Sequence, residues 1–397
     1  HGNTSIVRLG DRLFASGLET IPDATPLNNC LPTLYRRTEQ GWDLIYKGDG
    51  RTREPSPLAM FRNGELFLSI NPTLTGPDEY AGPSEPRILA FEMGTPSDEP
   101  EVLMPRWEGE PPFTEHSYRS FVADGKNKEL ILFQNIGYTH AEWAFRDSKG
   151  NWSTQGRLDW PYGTDYEEPR PIRVCYPAVA LKNRAVYFCG VSDIIEPNKA
   201  WREYKFELTG RKWDYDFRRL FYTYNEDITT GEFHEWVEIA SREKTAGGIS
   251  PKDLYVTPEN DVFVLWTERA IDERLREKFF PEEKQEYYLN YAKVHDGQVV
   301  VRKTLVSGGE EIGGERPGEA RFHVTEDKRL LVFYYVSGQD SNGNPISEYR
   351  LAEIKMDGDH SEPVIVKLQE PMGAFFTSTV RAGCPPSNIL DVFGSVG

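Results

Sequence analysis

The sequence predicts an all-β fold: a seven-bladed β-propeller of four-stranded antiparallel blades, with the last blade incomplete. Three observations lead there. A hairpin signal recurs seven times, a weaker second hairpin follows six of them, and the composition is aromatic-rich without long apolar runs.

The first hairpins turn at Gly10-Asp11, Asn63-Gly64, Asp124-Gly125, Lys182-Asn183, Asn260-Asp261, Asp327-Lys328 and Ser387-Asn388. Gly, Asn and Asp tolerate the positive φ of a tight turn, and apolar runs flank each site, as 253–256 and 262–266 do. Taken at positions 11, 64, 124, 183, 260, 327 and 388, the turns lie 53 to 77 residues apart. The second hairpins begin at Tyr35, Ile88, Trp143, Tyr204, Tyr291 and Arg350 and turn at or before Gly41, Gly94, Gly150, Gly210, Gly297 and Gly358. Two hairpins make a four-stranded blade. Blades therefore fall at approximately 1–50, 51–110, 111–165, 166–245, 246–310, 311–370 and 371–397, the last partial, within one domain. The chain opens directly on a strand at His1, without an initiator Met, and has no outer hairpin after residue 388. It reads as a piece of a slightly longer protein. One charged, helix-like excursion is expected at 271–286.

The 21 Phe, 20 Tyr and 9 Trp suit pleated, half-buried surfaces. A net charge of −17 argues against nucleic acid and anionic membranes as partners, and no apolar run of about 18 residues is present to cross a bilayer. An anionic sugar is still allowed, because a few arginines in a funnel invert the local field. Cys175 and Cys189 flank one turn and are expected as neighbouring thiols; no zinc-type spacing occurs. No cofactor or metal is called for, and nothing in the sequence points to calcium. A monomer, secreted or periplasmic, is expected.

In a propeller, the residues before each first strand and after each second strand share one face. Here they include His1, His116, Arg173, Tyr176 and Arg316 from strand starts, and Glu19, Asn135, His140, Asp193 and Glu268 from strand ends. His234, His295 and His360 fall at or beside outer turns and read as surface residues, and His323, within a strand, reads as a satisfied blade residue. The segment 145–152 resembles a degenerate Asp-box turn of sialidase-type propellers, a sign of architecture rather than activity.

His116-Ser117-Tyr118-Arg119-Ser120, then Asp124-Gly125 and His140, resembles the third-blade pattern of propeller lyases that act on uronate glycans. Arg173-Val174-Cys175-Tyr176-Pro177 matches the fourth-blade Tyr of those lyases, and His1-Gly2-Asn3-Thr4 is similar to the opening of enzymes acting on L-rhamnose-α-1,4-D-glucuronate caps of arabinogalactan. That group comprises polysaccharide lyase family 42 and glycoside hydrolase family 145. Ulvan lyases are more distant: they carry His where this chain has Gln134-Asn135, and Arg where it has Ser192-Asp193.

The resemblance implies cleavage of an acidic oligo- or polysaccharide, by β-elimination or, alternatively, by α-L-rhamnosidase hydrolysis. A non-catalytic glycan-binding propeller is the third reading. Elimination needs a base for the C5 proton, a partner for the carboxylate and an acid for O4, and His, Tyr and Arg suit those tasks. Tyr176 or His140 is assigned as base and acid, with His116 and Arg173 on the carboxylate. Asn135, Arg316, His1 and Glu19 complete the expected substrate-binding set. Hydrolysis would instead require two carboxylates across the bond.

Overall fold

The structure, a computed structural model, describes residues 4–24, 29–79, 81–92, 99–310, 313–340, 342–369 and 372–396. His1 lies outside them, as does Gly94.

Six four-stranded antiparallel sheets are arranged as blades, each running in sequence order from first to fourth strand. Their first strands are Ile6–Leu9, Leu58–Met60, Arg119–Asp124, Val174–Lys182, Ala246–Val256 and Glu315–Val324. A seventh strand, Met372–Thr377, pairs only with Val392–Val396. Each of these seven strands contacts the next and the last contacts the first, so they line one central axis. Six of the seven expected first hairpins form about their turns; the seventh does not, because its two strands end and begin at Thr377 and Val392 and Ser387-Asn388 lies in the connection between them. The blade count is corrected: six complete blades rather than seven, because the seventh segment supplies a two-stranded sheet. After Thr377 the chain leaves that sheet and turns through a short 3-10 helix, Val380–Ala382.

That segment closes the axis. Arg381 donates to Asp253 of blade 5 and to the Val179 carbonyl of blade 4. Asp391 pairs with Arg8 of blade 1, and Phe393 meets Trp42 edge-on at 5.6 Å. His323 contacts the Ser387 carbonyl at 2.7 Å, so its role is structural. Gly383 has φ +91°, and a Cβ there would sit 1.9 Å from the Met60 carbonyl. Gly383→Ala should therefore cost at least about 2 kcal/mol, read as a lowered Tm, since both the backbone conformation and the close approach oppose a side chain.

The hydrophobic effect acts between blades. Alternation along each strand sends one set of side chains to each neighbouring blade, and separate cores fill each interface. Phe133, Phe145, Val179 and Phe188 join blades 3 and 4, while Val191, Leu220, Leu254 and Trp266 join blades 4 and 5.

Two helices interrupt the blades, both between second and third strands and so on one face. The expected excursion in blade 5 is α2, Glu273–Phe279, with Asp272 capping its N-terminus. The other is a correction. Tyr204-Lys205-Phe206, read as an outer strand, lies in α1, Lys199–Thr209. Trp201, Tyr204 and Leu208 recur at helical spacing, Asn198 accepts from the Trp201 amide, and Gly210 ends the helix at φ 65°. The true outer pair of blade 4 is Arg219–Asn225 with Val237–Ser241. Trp201 meets Phe280 and Tyr204 meets Phe279, so the two helices pack together. The Asp-box-like turn also forms: the Asp147 carboxylate accepts from the Lys149 and Asn151 amides at 2.9 Å. Among the described residues no helix is long and apolar enough to cross a membrane.

Candidate functional site

A cavity of about 540 Å³ opens on the face that carries the helices, across blades 4, 5 and 6. Its walls come from strand ends. Tyr176 starts the blade-4 first strand, 246–251 start that of blade 5, Glu268 and Arg269 end the next strand, and Pro317 starts blade 6.

Tyr176 is the residue most constrained by the fold. It sits in a bulge, where pairing with the next strand skips from Cys175 to Ala178, and takes φ +51°. A non-glycine residue held in the left-handed region carries strain, and such strain clusters at functional positions. The bulge lets the phenol lean along the axis towards blade 3, where its Oη lies 3.0 Å from that of Tyr118. Burial, then the bond with Tyr118, push the Tyr176 pKa far above the ordinary phenol value. Burial pushes Tyr118 up to about 12. Both phenols are therefore protonated at neutral pH.

His116 follows on the same line, its ring 5.1 Å from Tyr118. Its Nδ1 lies 3.4 Å from Glu54 Oε1, an electrostatic contact rather than a well-formed hydrogen bond. Burial alone would raise the Glu54 pKa, but His116, Arg119 and Arg53 hold it below the usual carboxylate range. An ionised Glu54 thus steadies the imidazole.

Arg173 is brought beside this group yet is already engaged. It is buried, donates through Nε to the Asp193 carbonyl, and pairs with Asp193 Oδ2 at 2.9 Å. Its guanidinium stacks 4.1 Å from the Tyr138 ring centroid. Asn135 turns its amide to Cys175 Sγ at 3.3 Å rather than to the cavity. Cys175 and Cys189 are both free thiols.

His140 is not brought to Tyr176. It pairs across with Asp159 in the outer half of blade 3, with Nδ1 2.7 Å from Thr139 Oγ1 and Nε2 3.1 Å from Glu142 Oε1. Burial lowers the His140 pKa and raises that of Glu142, both towards the neutral form. Glu19 is also remote, exposed and paired with Lys47 at 2.6 Å. Arg316 is exposed and lies 4.9 Å from the ring centroid of Tyr287, which lines the cavity.

Several residues escaped the sequence reading. Arg269 lines the cavity, is exposed, and is in register with Tyr287. Neither Arg269 nor Arg316 has a carboxylate partner among the described residues. Glu268, expected on this face from its place at a strand end, is held by Arg242, Arg302 and the Trp266 indole. Asp216 is buried on the wall; burial, reinforced by Glu243 and Glu196 against Arg218, pushes it up to about 7. Tyr118 could have been found, because it directly precedes the first strand of blade 3, where strand starts share the face. Asp216 and Glu54 lie in connections with no periodic signal. Among the described residues no group of three or more His, Cys, Asp or Glu could hold a metal ion.

No protein-family model matches the chain, and no curated protein does. Among solved structures it is similar to a puromycin-hydrolyzing peptidase of Mycobacterium tuberculosis (10% identity, TM-score 0.43), covering 95% of this chain and 48% of that one. It is similar to an α-L-arabinanase of Penicillium chrysogenum complexed with arabinobiose (9%, 0.43), covering 93% and 99%. A family GH93 α-L-arabinofuranosidase of Fusarium graminearum, also with arabinobiose (14%, 0.41), is covered to 92% by 88% of this chain. What this chain does has to follow from its own side chains.

Proposed function

We propose that the protein is a carbohydrate-active enzyme that cleaves an acidic glycan on this face by β-elimination at a 4-linked uronate. The observation that carries the reading is the pair Arg269 and Arg316. In a chain of net charge −17, two exposed arginines without carboxylate partners among the described residues flank Tyr287 at the cavity edge. That arrangement suits a planar carboxylate, which arginine binds in bidentate fashion. Lys205, Arg218 and Arg274 also reach the cavity but are already matched by Glu196, Asp214 and Asp272.

Charge neutralisation at the uronate carboxylate acidifies the C5 proton. His116, steadied by Glu54, removes that proton, and the C5–H electron pair becomes the C4–C5 double bond. The C4–O4 bond breaks with its electrons on O4, which takes the phenolic proton of Tyr176. Tyr118 hydrogen-bonds the phenol and keeps it aimed. The linkage to test first is L-rhamnosyl-α-1,4-D-glucuronate. Ultraviolet absorbance of a conjugated unsaturated uronate should grow on incubation with such an oligosaccharide; release of sugar without it would overturn elimination. Arg269→Ala should lower kcat/KM about 10- to 150-fold on the acidic glycan, the worth of a charged hydrogen bond. An unchanged value would remove the clamp.

Asp216 favours a second reading, hydrolysis. A wall carboxyl with a pKa of about 7 is fit to be a general acid, with Glu268 or Asp272 as its partner. The two readings differ in pH dependence. Proton donation by Asp216 fails as pH rises through about 7. Donation by Tyr176 persists well into alkaline solution, so the alkaline limb of kcat separates them.

A further inference from the structure

We propose that Tyr138, with Tyr215 and Trp213, forms a second sugar-binding subsite, which takes the glycan residue next to the one in the cavity. The enzyme would then act on a chain of three or more sugars. The inference rests on the reading of this face as a glycan site, and deepens it.

The surface is continuous with the cavity. Tyr215 lines it, and its Oη lies 2.7 Å from that of Tyr138. Tyr138 is 41% exposed, on the loop that joins the second and third strands of blade 3. Its ring is fixed from below: Arg173, tied to Asp193, stacks on one face at 4.1 Å. What the ring leaves exposed is an aromatic surface with its hydroxyl end pinned by Tyr215.

Trp213 extends this surface. Asp214 turns inward to Lys205 and Arg274, so in an extended chain Trp213 and Tyr215 share the opposite side, and Trp213 is 67% exposed. Exposure of neighbouring large aromatic rings calls for an occupant, and a pyranose supplies one, since its C–H face stacks on an aromatic ring. Rings already held in place lose little conformational entropy on binding, which is how tyrosines gain affinity in rigid binding surfaces. Arg173 thus acts here as a positioning residue, orienting Tyr138 rather than touching the substrate.

The test is calorimetric titration of the whole chain with oligosaccharides of two, three and four sugars that each carry the L-rhamnosyl-α-1,4-D-glucuronate linkage. Neutral galactan oligosaccharides of the same lengths run alongside, and cleavage is assayed in parallel. Wild type should bind the three-sugar chain about tenfold more tightly than the two-sugar one. Tyr138→Ala should abolish that gain while it leaves disaccharide affinity and Tm unchanged, and Tyr138→Phe should retain it. A length gain that survives Tyr138→Ala, or no gain in wild type, overturns the subsite. Length-dependent binding without cleavage of any chain would sink the lyase reading and leave the subsite standing. Cleavage without a length gain would do the reverse.

Discussion

Tyr176→Phe should lower kcat by roughly 10²- to 10⁴-fold with little change in KM or Tm, the range expected for loss of a positioned proton donor. Phe keeps the ring contacts with Tyr118 and Phe217, at 5.0 and 5.8 Å between centroids, and accepts the same φ of +51° about as well as Tyr does. The substitution therefore removes the hydroxyl and its 3.0 Å bond to Tyr118 while those ring contacts stay. A loss confined to kcat identifies an interaction made in the transition state. Asp216→Asn supplies the opposite arm. If it abolishes turnover and Tyr176→Phe does not, the proton comes from the carboxyl and the reaction is hydrolysis. Comparable activity of Tyr176→Phe and wild type would remove Tyr176 from the chemistry altogether.

The first hairpins were legible because their signal is local. Asn183 at φ 49° and Asn260 at 71° adopt the turn conformations that their residue type announces. Blade register then gathered His116, Arg173 and Tyr176 on one side of the ring, since strand starts share a face. What sequence could not supply is the direction in which each side chain spends its bonds. Arg173 reads as a clamp but is bound to Asp193, and His140 reads as Tyr176's partner but pairs with Glu142. Both outcomes depend on side-chain geometry that residue type does not announce: Glu142 is two positions along the same strand as His140, and Asp193 is 20 positions from Arg173, across the blade-4 hairpin. The helix at 199–209 was missed for a different reason. Tyr204-Lys205-Phe206 has strand-like residue types, and only the capping residues Asn198 and Gly210, with the spacing of Trp201, Tyr204 and Leu208, carry the helical period. Arg269 and Asp216 had no sequence signal, because their significance lies in what does and does not face them.

Glu196→Ala should destabilise the fold by about 3–5 kcal/mol, the cost of taking a partner away from buried charges. Glu196 is fully buried and accepts from Arg218 twice, at 2.8 and 2.9 Å, and from Lys205 at 2.8 Å. Burial alone would raise its pKa, yet the bonds from Arg218 and Lys205 hold it below the usual range, so it is a carboxylate in the folded protein. Its Oε1 also accepts from the amide of Asn198, the residue that caps α1. Removal therefore takes from two buried cations a carboxylate that both share and loosens the start of the helix, with a fall in Tm and faster hydrogen exchange across 199–209 as the readouts. The pair Lys199–Glu203 on the same helix is the internal control. At 3.9 Å and largely exposed, it should cost under about 0.5 kcal/mol when Glu203 is replaced by Ala. Activity adds a further consequence. Lys205 and Arg218, the partners of Glu196, lie within 3.7 Å of Asp272 and 3.4 Å of Asp216, both on the cavity wall. A residue that does not line the cavity should thus impair turnover by releasing the cations that hold the wall. A Glu196→Ala protein with wild-type Tm and activity would mean that these ion pairs are dispensable to the site.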